Sequence, residues 1–129
     1  MTQTPKIRVL VVNDQEPMNA LWQQLIDATP DMLCVGLAKN GAEAVTLALE
    51  LAPHVVVMDM MMPVMDGGEA TRRIRAQLPD TLVIIYSAYN GMEERAYESG
   101  ASEYLLMPIK PDKLQEVIRR VYHDHYNDK

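Results

Sequence analysis

Five short runs of apolar, largely β-branched residues recur along this chain, and each is followed by a segment with helical spacing. Ile7–Val12, Leu33–Ala38, Val55–Met58, Thr81–Tyr86 and Tyr104–Met107 are predicted strands. The first, third and fourth are almost continuously apolar, which suits strands covered on both faces, as in parallel sheets. Met18, Leu21, Trp22, Leu25 and Ile26 fall on one helical face, and Pro17 suits the first turn, where its missing N–H goes unneeded. A second helix is predicted over Gly41–Leu51, ending before Pro53, and a third over Gly67–Leu78, ending before Pro79. A fourth runs from about Asn90 to Gly100. The last places Leu114, Val117, Ile118, Val121 and Tyr122 on one stripe, with Lys113, Glu116, Arg119 and Arg120 largely opposite. Five βα units joined by short connections predict one doubly wound α/β domain spanning residues 1–129. Its core is expected over residues 6–123, with the polar tail at 124–129 frayed.

Composition narrows the partners. With 129 residues and 48% hydrophobic content, the chain is one domain with a sizeable core. A net charge of −6 argues against direct binding to nucleic acid. No run approaches the roughly 18 apolar residues of a membrane span. The N-terminal stretch leads straight into the first strand and lacks the layout of a signal peptide, so a cytoplasmic location is expected. The single cysteine, Cys34, cannot form an internal disulfide, and its apolar flanks predict a buried, inert thiol. Ten methionines and no phenylalanine make the core soft and adaptable. His54, His123 and His125 lack the spacing of a metal site.

In open α/β sheets, ligands gather outside the carboxyl ends of the strands. Asn13-Asp14 follow the first strand, Asp59 ends the third, Ser87 follows the fourth and Met107 ends the fifth. All five are expected to converge on one crevice. The segment Asp59-Met60-Met61-Met62-Pro63-Val64-Met65-Asp66-Gly67 has the pattern D-x-x-M-P-x-M-D-G. With these flanks and this order, the chain resembles a bacterial response-regulator receiver domain, chemotaxis-regulator-like, over nearly its whole length.

That resemblance implies a flavodoxin-like sheet of five parallel strands in the order 2-1-3-4-5, with five helices on its two faces. It implies that Asp59 is the phosphoacceptor, a carboxylate nucleophile forming an acyl phosphate. Mg²⁺ would be held by Asp14, Asp59 and the backbone carbonyl of Met61, with Asn13 helping directly or through water. Ser87 would hydrogen-bond a phosphoryl oxygen, and the Ala88 amide could assist. Ser87 and the aromatic Tyr104 would form the switch that alters the surface of the fourth helix, fifth strand and last helix. Pro108 matches a proline that carries a cis bond in the family.

Two residues depart from the family. Asn13 replaces the first of two acids, and Met107 replaces a lysine that contacts the phosphoryl group. Two like charges about 5 Å apart interact by roughly 3 kcal/mol at an effective dielectric near 20, so losing one acid should weaken Mg²⁺ binding. A thioether donates no hydrogen bond to a phosphoryl oxygen. One acid and one lysine are lost together, however, so the formal charge of the site is unchanged. Lys110, also followed by proline, is a possible stand-in three residues late, although the register favours Met107-Pro108.

The expected function is therefore that of a two-component receiver. It takes phosphoryl from a histidine kinase or phosphotransfer protein and relays it by conformational change to an output domain or downstream protein. The alternative is an atypical receiver acting as a phosphorylation-independent interaction module. It is not expected to be an enzyme beyond weak autophosphorylation from small donors and self-dephosphorylation. Met61 stands where aspartate-based phosphatases carry their second aspartate. A homodimer pairing Arg119-Arg120 with Glu93 and Glu94 is conceivable, although internal or solvated charges are the plainer reading.

Overall fold

In the computed structural model, which describes residues 5–126, the apolar runs pair side by side as a parallel sheet. The strands are β1 (Ile7–Val12), β2 (Met32–Ala38), β3 (Val55–Asp59), β4 (Leu82–Ser87) and β5 (Glu103–Leu106), in the order β2-β1-β3-β4-β5. The helices are α1 (Glu16–Asp27), α2 (Gly41–Leu51), α3 (Gly67–Gln77), α4 (Glu93–Glu98) and α5 (Pro111–Tyr126). Side chains alternate across the sheet, so Val55 and Val57 face one layer while Val56 and Met58 face the other. The first layer buries Trp22 and Ile26 of α1 with Leu114, Val117, Ile118 and Val121 of α5. The second buries Ala44, Ala48, Ala70, Ile74 and Ala96 of α2, α3 and α4. Small residues on those three helices let them lie close to the sheet. Among the described residues, no helix is long and apolar enough to cross a membrane.

Local chemistry sets the helix boundaries. Asn40 caps α2 by accepting from the Glu43 amide at 2.9 Å, and Asp66 caps α3 by accepting from the Glu69 amide at 2.9 Å. Three expectations need correction. The fourth helix begins at Glu93 rather than near Asn90, because Gly91 turns at φ +88° and keeps the preceding stretch out of helical geometry. The last helix does not fray after Tyr122 but continues to Tyr126. Tyr122 and Tyr126 pack edge-on to His54, and His125 Nε2 lies 2.9 Å from Asp80. The polar-looking tail is thus an aromatic anchor, and residues 127–129 lie outside the described part. Cys34 is half-buried rather than buried, its Sγ 3.4 Å from the Gly36 carbonyl, and burial pushes the thiol up.

The basic pair on α5 is satisfied within the chain. Arg119 makes a bidentate contact to Asp31 at 2.7 and 2.8 Å, and Arg120 reaches Glu103 at 3.1 Å. Both arginines thus follow the plainer of the two readings, with their charges met inside the chain.

Candidate functional site

At the carboxyl ends of β1, β3, β4 and β5 lies a crevice of about 380 Å³. Asn13, Asp14, Asp59 and Met107 line it, as their strand-end positions predicted, and Met61 lines it with them. Ser87 does not line it but sits just beneath, almost wholly buried, while its neighbours Ala88 and Tyr89 form the wall. Lys110 is outside altogether, exposed, and borders a separate depression with Asp112, Lys113 and Glu116. The stand-in reading of Lys110 is therefore not supported by its position.

Asp59 ends β3 with its Oδ1 accepting from the Met61 amide at 3.3 Å. Burial pushes its carboxyl up to about 6, and the neighbouring Asp14 charge adds to the shift against the Met61 and Met60 amides. No cationic side chain of the described residues lines the crevice to offset this, because Met107 presents a thioether.

The loop after Asp59 is held from two sides. The Gly67 amide donates to the Met60 carbonyl at 2.8 Å, and the Gly41 amide donates to the Met65 carbonyl at 3.0 Å. A Cβ at Gly67 would stand 2.5 Å from the Asp59 carbonyl oxygen, so only glycine lets α3 start this close to Asp59. Asp66 also reaches Arg95 at 2.5 Å, tying the start of α3 to α4. Burial raises the Asp66 carboxyl, but the Glu69 amide and Arg95 outweigh it and hold the group below the usual range. Val64 takes φ +70° at the exposed tip of this loop, a conformation unfavourable for a β-branched side chain.

On the β1 side, the Gln15 amide donates to Asn13 Oδ1 at 2.7 Å. A backbone N–H must face an oxygen, so this contact fixes the orientation of the Asn13 amide and turns Nδ2 toward the Tyr86 hydroxyl at 2.7 Å. Asn19 Nδ2 donates to the carbonyls of Asn13 and Ala38 at 2.9 and 3.0 Å, fastening the loop that carries Asp14.

Tyr86 is the residue that sequence reasoning missed. It reads as a strand residue, yet its ring crosses the α1/α5 layer and its hydroxyl emerges in the crevice wall. Burial pushes the phenol well above its ordinary range, with Asp59 and Asp14 adding to the shift. Its polar partners lie at the end of β1, so no local pattern announces them.

Ser87 and Tyr104, the switch pair the resemblance implies, both bond to Tyr89. Ser87 Oγ accepts from the Tyr89 amide at 3.0 Å, and the Tyr104 hydroxyl donates to the Tyr89 carbonyl at 2.9 Å. Tyr104 is buried, turned inward beneath this loop. Met107-Pro108 is a cis peptide, as the resemblance implied.

The donor set suits a hard divalent cation: two carboxylates and a nearby backbone carbonyl, with room left for water. Among the described residues, no three His, Cys, Asp or Glu side chains group to hold a metal. Any cation here would therefore rest on Asp14, Asp59, the Met61 carbonyl and solvent. Asn13 Oδ1 keeps one lone pair beyond its Gln15 contact.

A doubly wound sheet with an acidic crevice at its switch point defines a receiver architecture. Residues 9–119 match the response regulator receiver domain, and the chain belongs to that family. It is similar to the transcriptional regulatory protein LiaR of Bacillus subtilis, at 37% identity over 88% of this chain and 54% of that protein. It is also 38% identical to a protein-glutamate methylesterase/protein-glutamine glutaminase of Thermotoga maritima, over 79% of this chain and 30% of that protein. The chain thus spans about half the length of LiaR and less of the methylesterase. Among solved structures, the response regulator domain of Thermotoga maritima CheB superimposes with a TM-score of 0.84 at 37% identity, covering 92% of this chain and 97% of that one. The receiver domain of NarL from Mycobacterium tuberculosis gives 0.85 at 27% identity, covering 92% and 98%. This is a receiver domain of the two-component response regulator class, with the sheet order that the resemblance implied.

Proposed function

We propose that Asp59 accepts a phosphoryl group from a histidine kinase or phosphotransfer protein, and that the chain relays this event through α4, β5 and α5. The observation that carries the reading is Asp59 itself, a strand-end carboxylate in an open crevice, steadied by the Met61 amide and flanked by Asp14. Asp59 is the nucleophile, and it must be ionised to attack phosphorus. Mg²⁺, when bound, neutralises charge developing on the phosphoryl oxygens. Asp14, Asp59 and the Met61 carbonyl would hold it, and the missing acid at Asn13 makes that hold weaker. The Ala88 amide, in the crevice wall, and Ser87, just beneath it, would hydrogen-bond the phosphoryl oxygens. The Ser87–Tyr89–Tyr104 bonds give a route from the crevice to the surface of β5 and α4. The chain acts in this as a single receiver unit in the cytoplasm, without enzymatic turnover of its own beyond slow self-phosphorylation and dephosphorylation.

Met107 favours a second reading, in which the chain signals by protein contacts independently of phosphate, since no lysine is present to read the phosphorylated state. Incubation with Mg²⁺ and acetyl phosphate separates the two by mass spectrometry. A phosphoryl increment in the wild type, lost in Asp59→Asn, supports the phosphoacceptor. An increment that arises only in Met107→Lys supports the interaction module.

A further inference from the structure

Asn13, Tyr86 and Met107 are explained together by one arrangement. The Tyr86 ring is almost fully buried and packs edge-on to Trp22, with ring centroids 6.0 Å apart, so its hydroxyl has a fixed position. That hydroxyl accepts from Asn13 Nδ2 at 2.7 Å, and its own proton has only a long 3.3 Å contact to the Val12 carbonyl. The proton is therefore weakly held and free to turn toward a ligand in the crevice that Tyr86 lines. Met107 lines the same crevice and donates nothing.

We propose that the Tyr86 hydroxyl is the phosphoryl hydrogen-bond donor that takes over from the absent lysine, with Asn13 as the positioning residue that presents it. An aspartate at position 13 would accept the phenolic proton and hold it away from the ligand. The asparagine amide donates instead, so the proton stays available. A neutral amide–phenol pair thus does the work of a charged acid–lysine pair, which accounts for both departures at once.

This rests on Asp59 being the phosphoacceptor. With acetyl phosphate, an Asp59 carboxylate oxygen forms the new bond to phosphorus while the bond from phosphorus to the acetate oxygen breaks. Acetate leaves with that electron pair. Tyr86 keeps its proton throughout and redirects it from the Val12 carbonyl to a phosphoryl oxygen.

The test compares wild type, Tyr86→Phe, Met107→Lys and the double variant, with Asp59→Asn as control. Two readouts are taken at saturating Mg²⁺: the rate of the phosphoryl mass increment, and beryllofluoride affinity followed by Trp22 fluorescence. Phenylalanine keeps the ring against Trp22 and removes only the hydroxyl. Tyr86→Phe should lower both by about tenfold, the scale of a hydrogen bond to a charged group. In the Met107→Lys background the same change should cost less than about twofold, because lysine then supplies the donor. An equal loss in both backgrounds would show a structural role and overturn the proposal, as would an unchanged rate in Tyr86→Phe. If Tyr86→Phe fails to fold, Asn13→Asp serves: it should slow uptake at saturating Mg²⁺, and faster uptake would overturn the proposal. An increment that is lost in Asp59→Asn but forms at the wild-type rate in Tyr86→Phe sinks this inference alone. No increment and no beryllofluoride binding in the wild type sink it together with the phosphoacceptor reading.

Discussion

Replacing Asp59 with asparagine should stabilise this protein, and the gain should depend on pH in a defined direction. The carboxyl is held at about 6 rather than 3.8, first by burial and then by Asp14, with no cation in the crevice to relieve it. A group whose folded value is raised helps the fold at low pH and loses that help as pH rises through the folded value. At 1.36 kcal/mol per pH unit, full ionisation costs the folded state about 3 kcal/mol, which solvent on the open side of the crevice reduces to about 1.5 kcal/mol. The asparagine side chain is nearly isosteric, can keep the Met61 contact and carries no charge. Asp59→Asn should therefore gain about 1.5 kcal/mol at about pH 7.5, and only about half of that at about pH 4.5. Urea unfolding of both proteins in a chelating buffer, across that pH range, measures the difference directly. A gain that is absent, or that is the same at both pH values, refutes the account of an uncompensated acidic pair.

Met107→Lys should bring a cation into the crevice and lower the Asp59 carboxyl toward its ordinary range, seen by carbon-detected NMR titration as a midpoint below that of the wild type. Gly67→Ala should destabilise the fold by about 2–3 kcal/mol in urea melts, because its Cβ meets rigid backbone at the Asp59 carbonyl. Ala52 ends α2 at φ +46°, so Ala52→Gly should raise stability by about 0.5–1 kcal/mol in the same assay. Arg119→Ala should cost about 0.5–1 kcal/mol at neutral pH. Arg119 holds the Asp31 carboxyl below its usual range, so this cost is present above about pH 4 and fades as acid protonates Asp31.

Much of this architecture was legible because buried parallel strands leave almost unbroken apolar runs. β1 and α2 have the predicted bounds, and the other strands shift by a residue at one or both ends. The crevice was legible for a related reason: strand ends on one side of a sheet must meet, so Asn13, Asp14, Asp59 and Met107 could be placed from chain order alone. What escaped were contacts between residues far apart in sequence. Tyr86 finds Asn13 across the sheet, and Tyr122 and Tyr126 find His54 from the end of the chain. Side-chain periodicity reports which face a residue takes, not where the tip of a long ring arrives.

The Tyr89 backbone carries both the Ser87 and the Tyr104 contacts, one on its N–H and one on its carbonyl. Because both bonds end on one residue, displacing Tyr89 breaks them together. Two hydrogen bonds at about 1 kcal/mol each correspond to a ratio near thirty to one between held and released loops. A few per cent of molecules, by that reckoning, already present the released surface before any phosphoryl group arrives. On the proposed relay reading, a ligand in the crevice would need only a modest preference for the released loop to reverse the majority.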